Sequence, residues 1–392
     1  MTRTLAEYDL AVIGGGILGT FHAYHALRAG LRVALFEKNK RPQGATVRNF
    51  GQVVPSGLNA DWQPLGRESL RIYQSLQAEI DLTLRSEGSL YVASNPGEQQ
   101  LLHELATHNR QNGYASQLWS AESCREHVPG LRKQYVCEGL FFPEEVSLDP
   151  RLAVHRILEY LVEQRGLTYL PSTPVHSLEE GLRGVCIQAH DGRTWRASRV
   201  VVCCGSEFAG LFPNLFRESD IQVVKLHMLE TVGQPRQRIP GNVLTGQTIR
   251  RYESFQECPS WAVVKAEEPR FSFGREYGVH ILFKQADNGS VIIGDSHEYA
   301  SVSDADDLGF DIDNDINRYM LEQAMKIIDL EDWSIQRAWY GIYSQRSDSA
   351  VYQHSPSECV HIVTAIGGKG MTVSPAFAKK SLQELGVLAR SV

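Results

Sequence analysis

Apolar positions along the chain change their period, and the two ends carry the plainest patterns. Residues 9–13 (Asp-Leu-Ala-Val-Ile) are an apolar run of strand length that enters a turn with Gly14, Gly16 and Gly19. Apolar residues then recur at helical spacing to Gly30, and a second apolar run, 31–36, stops at Glu37. Strand, glycines, helix, strand and carboxylate in this order predict a dinucleotide-binding βαβ unit. Gly14 permits the sharp turn, Gly16 a close approach to pyrophosphate, and Gly19 tight packing of helix on strand. The helix start at Ile17, Leu18 and Gly19 offers free N–H groups and the positive end of its dipole to phosphate. Glu37, followed by Lys38, is placed to accept hydrogen bonds from ribose hydroxyls. That disfavours a 2′-phosphate and so favours FAD or NAD over NADP.

Helical spacing predicts further helices at 65–84, 96–112, 121–127, 149–165, 315–330 and 374–389, with Asp149 and Pro150 as cap and first residue of the fourth. Strand patterns fall at 88–93, 139–143, 167–170, 199–206, 223–232, 270–273, 279–284, 289–294, 335–343 and 359–365, with a hairpin over 175–190. Pro143 makes 139–143 an expected edge strand, since proline cannot donate to a ladder. The wholly apolar 199–206, closed by Gly205, suits a buried central strand. The later strands alternate or are β-branched, as antiparallel strands do. The predicted class is α/β (α+β overall): a Rossmann-type domain (1–85, 150–220 and 340–392) with a second, mainly antiparallel domain (86–149 and 221–339).

The C-terminal end repeats the logic of the N-terminal one. A strand runs into Gly367-Gly368-Lys369-Gly370-Met371-Thr372 and then a helix, again an anion site or a close backbone approach. Two such turns at opposite ends of the chain suggest one large cofactor held by both, which favours FAD. The segment 45–55, with Arg48 and Asn49, is placed to cover that cofactor.

Composition narrows the classes. A length of 392 residues suffices for two domains. The net charge of −7, with no basic tract, gives no footprint for nucleic acid. No apolar run approaches the roughly 20 residues of a membrane span, and no secretory leader precedes the first strand. Seven cysteines, an odd number without metal-like spacing, suggest reduced thiols in a cytoplasmic protein. Cys203-Cys204 reads as strand packing, the acidic stretch 303–315 as a solvated face, and no metal site is expected. Oligomeric state is left open.

The segments VIGGGILG, FEK, VVVCCGS, SVIIGDSHEY, WYGIY and IGGKGMTVSPAFA together resemble the D-amino-acid oxidase superfamily, the group of glycine oxidase and monomeric sarcosine oxidase. The resemblance covers nearly the whole chain. RNFG, TIRRYESF and GDSHEY are similar to a bacterial clade associated with phosphonate breakdown. The resemblance implies FAD, with Gly14, Gly16, Gly19 and Glu37 on its ADP half, Val175 at the adenine, Gly205 closing the cofactor-facing strand, and Gly367 to Thr372 at the isoalloxazine. It places Arg48 and Asn49 on the ribityl side. It also implies oxidation of a small amine to an imine that hydrolyses, with oxygen or another acceptor taking the electrons.

The departures from that family are specific. After the W-x-G-hydrophobic motif, relatives that act on amino acids place an Arg; here Tyr343 follows Trp339-Tyr340-Gly341-Ile342. Where sarcosine oxidase carries an anchoring Lys, this chain has Thr372, and that enzyme's N-terminal arginines fall at Gly51 and Val54. The usual carboxylate clamps are missing. Arg48, Arg346, Lys369, His227 and His297 remain as candidate anion holders, and Tyr343 and His297 as pocket-shaping residues. The place of sarcosine oxidase's flavin-linking cysteine falls at Gly341, which implies non-covalent FAD. The substrate implied is an amine with an anion other than an α-carboxylate, an N-alkylated aminophosphonate being the concrete case. A D-amino-acid, glycine or sarcosine-type oxidase or dehydrogenase with a relocated anchor, and a non-catalytic flavin-binding protein, are the alternatives.

Overall fold

The structure, a computed structural model, describes residues 7–348 and 350–389. Residues 1–6, on which the expectation about a leader rests, and the ends of the expected 1–85 and 340–392 segments lie outside it.

Two large sheets make up the molecule. In the first, Glu7–Ile13 sits centrally and pairs in parallel with Val33–Phe36 on one side and Thr194–Val202 on the other. Thr168–Leu170 extends the sheet beyond Val33–Phe36, and Val360–Thr364 extends it beyond Thr194–Val202, both in parallel. In chain order this is a 3-2-1-4-5 arrangement, the Rossmann pattern. The expected hairpin is present as Val175–Gly181 and Gly184–Ala189, laid antiparallel on Thr194–Val202. Strand centres here are apolar on both faces because helices cover one face and the hairpin with the 208–216 segment covers the other: Leu10, Ala11, Val12, Ala34, Leu35, Val200 and Val201 are fully buried.

The second sheet is nearly all antiparallel. Its long strand Ile221–Gly233 pairs with Ile335–Arg346 along most of its length, and with Ser290–Gly294 and Glu298–Ser301. Leu282–Gln285, Asn242–Leu244, Ser89–Ala93, Glu138–Phe142 and Gln117–Ser120 complete it.

Four sequence expectations need correction. Glu138–Phe142 is not an edge strand: Ser89–Ala93 flanks it on one side and Gln117–Ser120 on the other, and Pro143 lies just past its end, where no donor is required. The segment 270–273 is not a strand; Ser272 caps a short helix, Phe273–Glu276, by accepting from the Arg275 N–H. The domain boundary at 340 falls inside Ile335–Arg346, whose pairing with Ile221–Gly233 holds both halves in the second sheet. The last helix begins at Gly370, not Ser374, and carries Pro375 inside it.

Pro375 has no N–H for the carbonyl of Met371 one turn back. The Tyr73 hydroxyl supplies the missing donor, at 2.9 Å from Met371 O. Ser69 adds to the stitch, donating to Val373 O (3.3 Å) and accepting from Ala376 N (3.1 Å). The helix Gln63–Glu79 thereby fixes the C-terminal helix and the glycine turn that precedes it.

Candidate active site

A cavity of ≈ 730 Å³ runs between the two sheets and is lined by both ends of the chain. At the N-terminal end, Gly14 has φ +109°, and a Cβ there would lie 2.2 Å from Cys203 O. A Cβ on Gly19 would lie 2.0 Å from Gly14 O, so only glycine lets the helix close on the strand. Gly16 caps Ile17–Arg28 without a side chain, leaving the helix start open to the cavity. The Ile17 N–H donates to the Thr46 hydroxyl (2.9 Å), a contact the sequence pattern does not reveal. Glu37 accepts from the Gly15 and Asn39 N–H groups (3.0 and 2.9 Å) and is buried. These two bonds leave further lone pairs on the carboxylate for sugar hydroxyls. Lys38 pairs with Glu207. Val175 lines the cavity.

Gly205, at φ +62°, turns the chain at the end of Thr194–Val202, and its carbonyl accepts from Ser344 Oγ (2.9 Å) and Thr364 Oγ1 (2.8 Å). Gly367 is also left-handed, at φ +71°. Gly368, Lys369, Gly370, Met371 and Thr372 all line the cavity. A Cβ on Gly368 would lie 4.0 Å from the Tyr343 hydroxyl, so this turn and the Tyr343 ring share one wall. The cavity's volume, its lining by both ends of the chain, the helix start without a side-chain cap and the glycine walls fit an extended dinucleotide cofactor held at both ends.

The WYGIY segment clamps the covering loop. Trp339 Nε1 donates to Arg48 O (3.1 Å), and the strand runs against Arg48 at Gly341. Asn49 spends its amide on Ala45 O and Thr46 O and accepts from Gly51 N, which shapes the loop.

Of the expected anion holders, Arg48, Arg346, Lys369 and His297 line the cavity, and the first three are already bound to protein groups. Arg48 donates to Gln43 O (2.8 Å) and lies over the Tyr340 ring. Arg346 is paired with Asp220 and Asp348, both at 3.0 Å. Lys369 is paired with Glu253 (3.0 Å) and lies over Trp62. His227 is buried and does not line the cavity. Thr372 is buried, and its hydroxyl accepts from Val54 N (3.2 Å).

One arginine of the cavity is absent from the sequence candidates. Arg251 lines the cavity, donates to the Tyr299 hydroxyl (2.8 Å), and has no carboxylate within ion-pair distance among the described residues. Its neighbour Arg250 is the structural one of the doublet, held by Glu98 (2.8 Å) and Val264 O (2.7 Å). The motif could be read from the sequence, but which arginine faces inward could not.

Beside Arg251 stands a buried cluster. His280 Nε2 lies 2.8 Å from Asp295 Oδ1, and His297 Nδ1 lies 3.9 Å from the same oxygen. Asp295 and His297 lie on the short link between the strands Ser290–Gly294 and Glu298–Ser301. Burial pushes the Asp295 carboxyl up, but His280, His297 and Arg251 outweigh it, and the net shift is downward. Burial lowers His280, and burial followed by the Arg251 charge lowers His297 to about 3. Burial raises the phenols of Tyr252 and Tyr343. The donor atoms of His280, Asp295 and His297 lie within 4.8 Å of one another. The Gly278 carbonyl lies 3.2 Å from His297 Nδ1, so that nitrogen is engaged by the backbone.

Comparison with known proteins agrees with this architecture. The model of the family described as FAD dependent oxidoreductase matches residues 9–381, and the chain belongs to that family. An opine oxidase chain of Rhizobium meliloti is 22% identical over 402 aligned positions, covering 96% of this chain and 95% of the relative. Glycine oxidase of Bacillus licheniformis is 27% identical over 232 positions, covering 56% of this chain and 60% of the relative. The crystal structure of glycine oxidase from Geobacillus kaustophilus superposes with a TM-score of 0.77 at 18% identity, covering 98% of this chain and 96% of that one, a likeness of fold. The protein is thus an enzyme, an FAD-dependent oxidoreductase, and FAD is its cofactor.

Proposed function

We propose that the protein oxidises a small amine that carries a separate anionic group, giving an imine that water hydrolyses to an aldehyde or ketone plus amine or ammonia. The observation that carries this reading is Arg251, a cavity-lining cation with a hydroxyl partner and no carboxylate among the described residues. FAD supplies the two-electron acceptor when bound. The chain's own residues position the substrate: Arg251 holds the anion through charge-assisted bonds, Tyr343 forms a wall beside the Gly368 turn, and His297 faces the amine. Gly367 to Thr372 would lie along the isoalloxazine, and Gly14 to Gly19 with Glu37 along the ADP half. Oxygen or another acceptor reoxidises the enzyme.

The concrete substrate in this reading is an N-alkylated aminophosphonate such as N-methyl-2-aminoethylphosphonate. It is supported by the absence of an Arg at Tyr343 and of a Lys at Thr372, and by an arginine suited to a tetrahedral dianion. The second reading, a conventional amino-acid or opine-type substrate, is favoured by the names of the relatives. FAD is non-covalent in both: of the cysteines, Cys203 and Cys204 line the cavity, and burial pushes their thiols up, Cys204 to about 12, away from the nucleophilic thiolate. The seven unpaired cysteines favour a cytoplasmic location.

The test is anaerobic bleaching of the flavin by N-methyl-2-aminoethylphosphonate, 2-aminoethylphosphonate, glycine, sarcosine and D-alanine. An aminophosphonate should bleach fastest. Faster bleaching by the amino acids would replace the phosphonate with a carboxylate, and bleaching by none would leave a flavin-binding protein without amine chemistry.

A further inference from the structure

One imidazole nitrogen in the cavity has its protonation set by the rest of the site. His297 Nδ1 lies 3.2 Å from the Gly278 carbonyl oxygen, which can only accept, so Nδ1 carries the proton and Nε2 of the neutral ring carries a lone pair. His297 lines the cavity, and no protein group among the described residues bonds its Nε2. The groups facing the ring come from four places. Arg251 follows the short helix Gly246–Ile249, and Asp295 and the stacked His280 ring (5.4 Å) stand on the second sheet's inner side. Tyr299 stacks at 6.2 Å from Glu298–Ser301, and Tyr343 meets the ring edge-on at 6.4 Å from Ile335–Arg346.

We propose that His297 takes the proton from the substrate ammonium, and that the substrate's own anion enables it to do so by neutralising Arg251. The proposal rests on the amine-plus-anion reading above and adds a residue and a coupling to it. An aliphatic amine arrives protonated, and its nitrogen needs a free electron pair before the adjacent carbon can lose hydride. In the step proposed, one N–H bond of the ammonium breaks and an Nε2–H bond forms. The electron pair stays on the substrate nitrogen, and the new imidazolium lies across from the Asp295 carboxylate, with Nδ1 3.9 Å from Oδ1. The other groups on this wall are poorer acceptors: burial raises Tyr343 and Tyr252, which keeps both as phenols, and His280 Nε2 is turned to Asp295.

The coupling follows from charge. Burial depresses His297 most and the Arg251 charge next; with no carboxylate in direct contact with Arg251, a second cation beside it is costly and His297 stays neutral. An anion on Arg251 offsets the charge part of that penalty, leaving the part due to burial, and so raises the proton affinity of Nε2 before the amine reacts. An amine without an anionic group is therefore disfavoured twice: it lacks its anchor, and it meets a depressed base.

The experiment follows the histidines by NMR in flavin-loaded protein labelled at the imidazole ring, with His297→Gln for assignment and methylphosphonate as an anion that cannot be oxidised. Anion binding is read separately from perturbation of the flavin absorbance. The expected result is a rise of the His297 midpoint by roughly 1–3 pH units at saturating methylphosphonate, the effect of one nearby charge. Arg251→Gln should show the raised midpoint without any anion. Methylphosphonate that binds without moving His297 overturns the coupling and leaves the anion site standing. Methylphosphonate that does not bind overturns both. The wild-type titration decides the matter even if a variant fails to fold.

Discussion

At the scale of single residues, assigning the anion to Arg251 displaces Arg48, the candidate that the sequence favours. Both arginines line the cavity, but the Arg48 side chain is bound to a backbone carbonyl and lies over an aromatic ring, whereas the partner of Arg251 there is a hydroxyl. A charge-assisted hydrogen bond is worth about 1.5–3 kcal/mol, so Arg251→Met should raise the half-saturating concentration of an anionic amine roughly 10–150-fold. The same change at Arg48 should act mainly through the loop it braces and alter flavin occupancy more than substrate affinity. Anaerobic substrate titrations of the two variants, each with its flavin content measured, check this. A larger affinity loss at Arg48 would return the anchor to the covering loop. The sequence could not supply this distinction because Arg250 and Arg251 are adjacent and chemically identical. What separates them is Glu98, 152 positions away, which takes Arg250 out of the site.

At the scale of elements, short segments that cross between the sheets carry charges whose protonation sets stability. Glu145 is buried on the segment that leads from Glu138–Phe142 to the short strand Val146–Ser147. Its Oε1 accepts from Ser56 N (2.7 Å) and the Tyr114 hydroxyl (2.8 Å), yet burial outweighs these bonds and raises its pKa to about 7. Unfolded, the same carboxyl titrates at the ordinary value of 4.5. Between these two values the folded chain holds the extra proton, so stability from this group is full below the lower value and is lost as pH rises through the upper one. Glu145→Gln keeps an acceptor for Ser56 and Tyr114 and removes the titration. The variant should be more stable than the parent by about 2–4 kcal/mol above pH 8, with the advantage vanishing near pH 4. Thermal melts of both proteins across pH test it, and parallel curves for the two would show that Glu145 does not titrate in this window. A second element-scale expectation concerns Gly19. A Cβ placed 2.0 Å from Gly14 O must push the helix Ile17–Arg28 off its strand, so Gly19→Ala should purify with little or no flavin, as the ratio of flavin to protein absorbance will show. The sequence made this element legible because every part of it is local. It misread 139–143 and 270–273 because edge position and strand pairing depend on partners far along the chain.

At the scale of the whole molecule, the cofactor cavity joins segments that are remote in sequence, which is why a fingerprint at one end could be read as only half of the site. Gly14, Gly16 to Gly19 and Gly367 to Thr372 line the same cavity, and the C-terminal turn is held there by Tyr73 and Ser69 on a third segment. Dinucleotide binding was evident in the first forty residues. Of the residues on the facing wall, Tyr343 and His297 were candidates from the sequence, but Arg251, His280 and Asp295 were not, because they join the cavity only through the order of strands in the second sheet. A cofactor that bridges such parts without a bond to any of them must stabilise the fold by mass action, by about 2.7 kcal/mol when free FAD stands at 100 times its dissociation constant. The melting temperature of the enzyme should therefore climb by a few degrees as FAD is added to partly depleted protein. Acid precipitation should leave all the yellow colour in the supernatant. These two results belong together, since a flavin linked to Cys203 or Cys204 would stay with the pellet and make the melting temperature of the coloured fraction indifferent to added FAD. The thiols at those positions are buried and held protonated, and Gly341 offers no sulfur, so the expected pairing is free colour and a concentration-dependent melt.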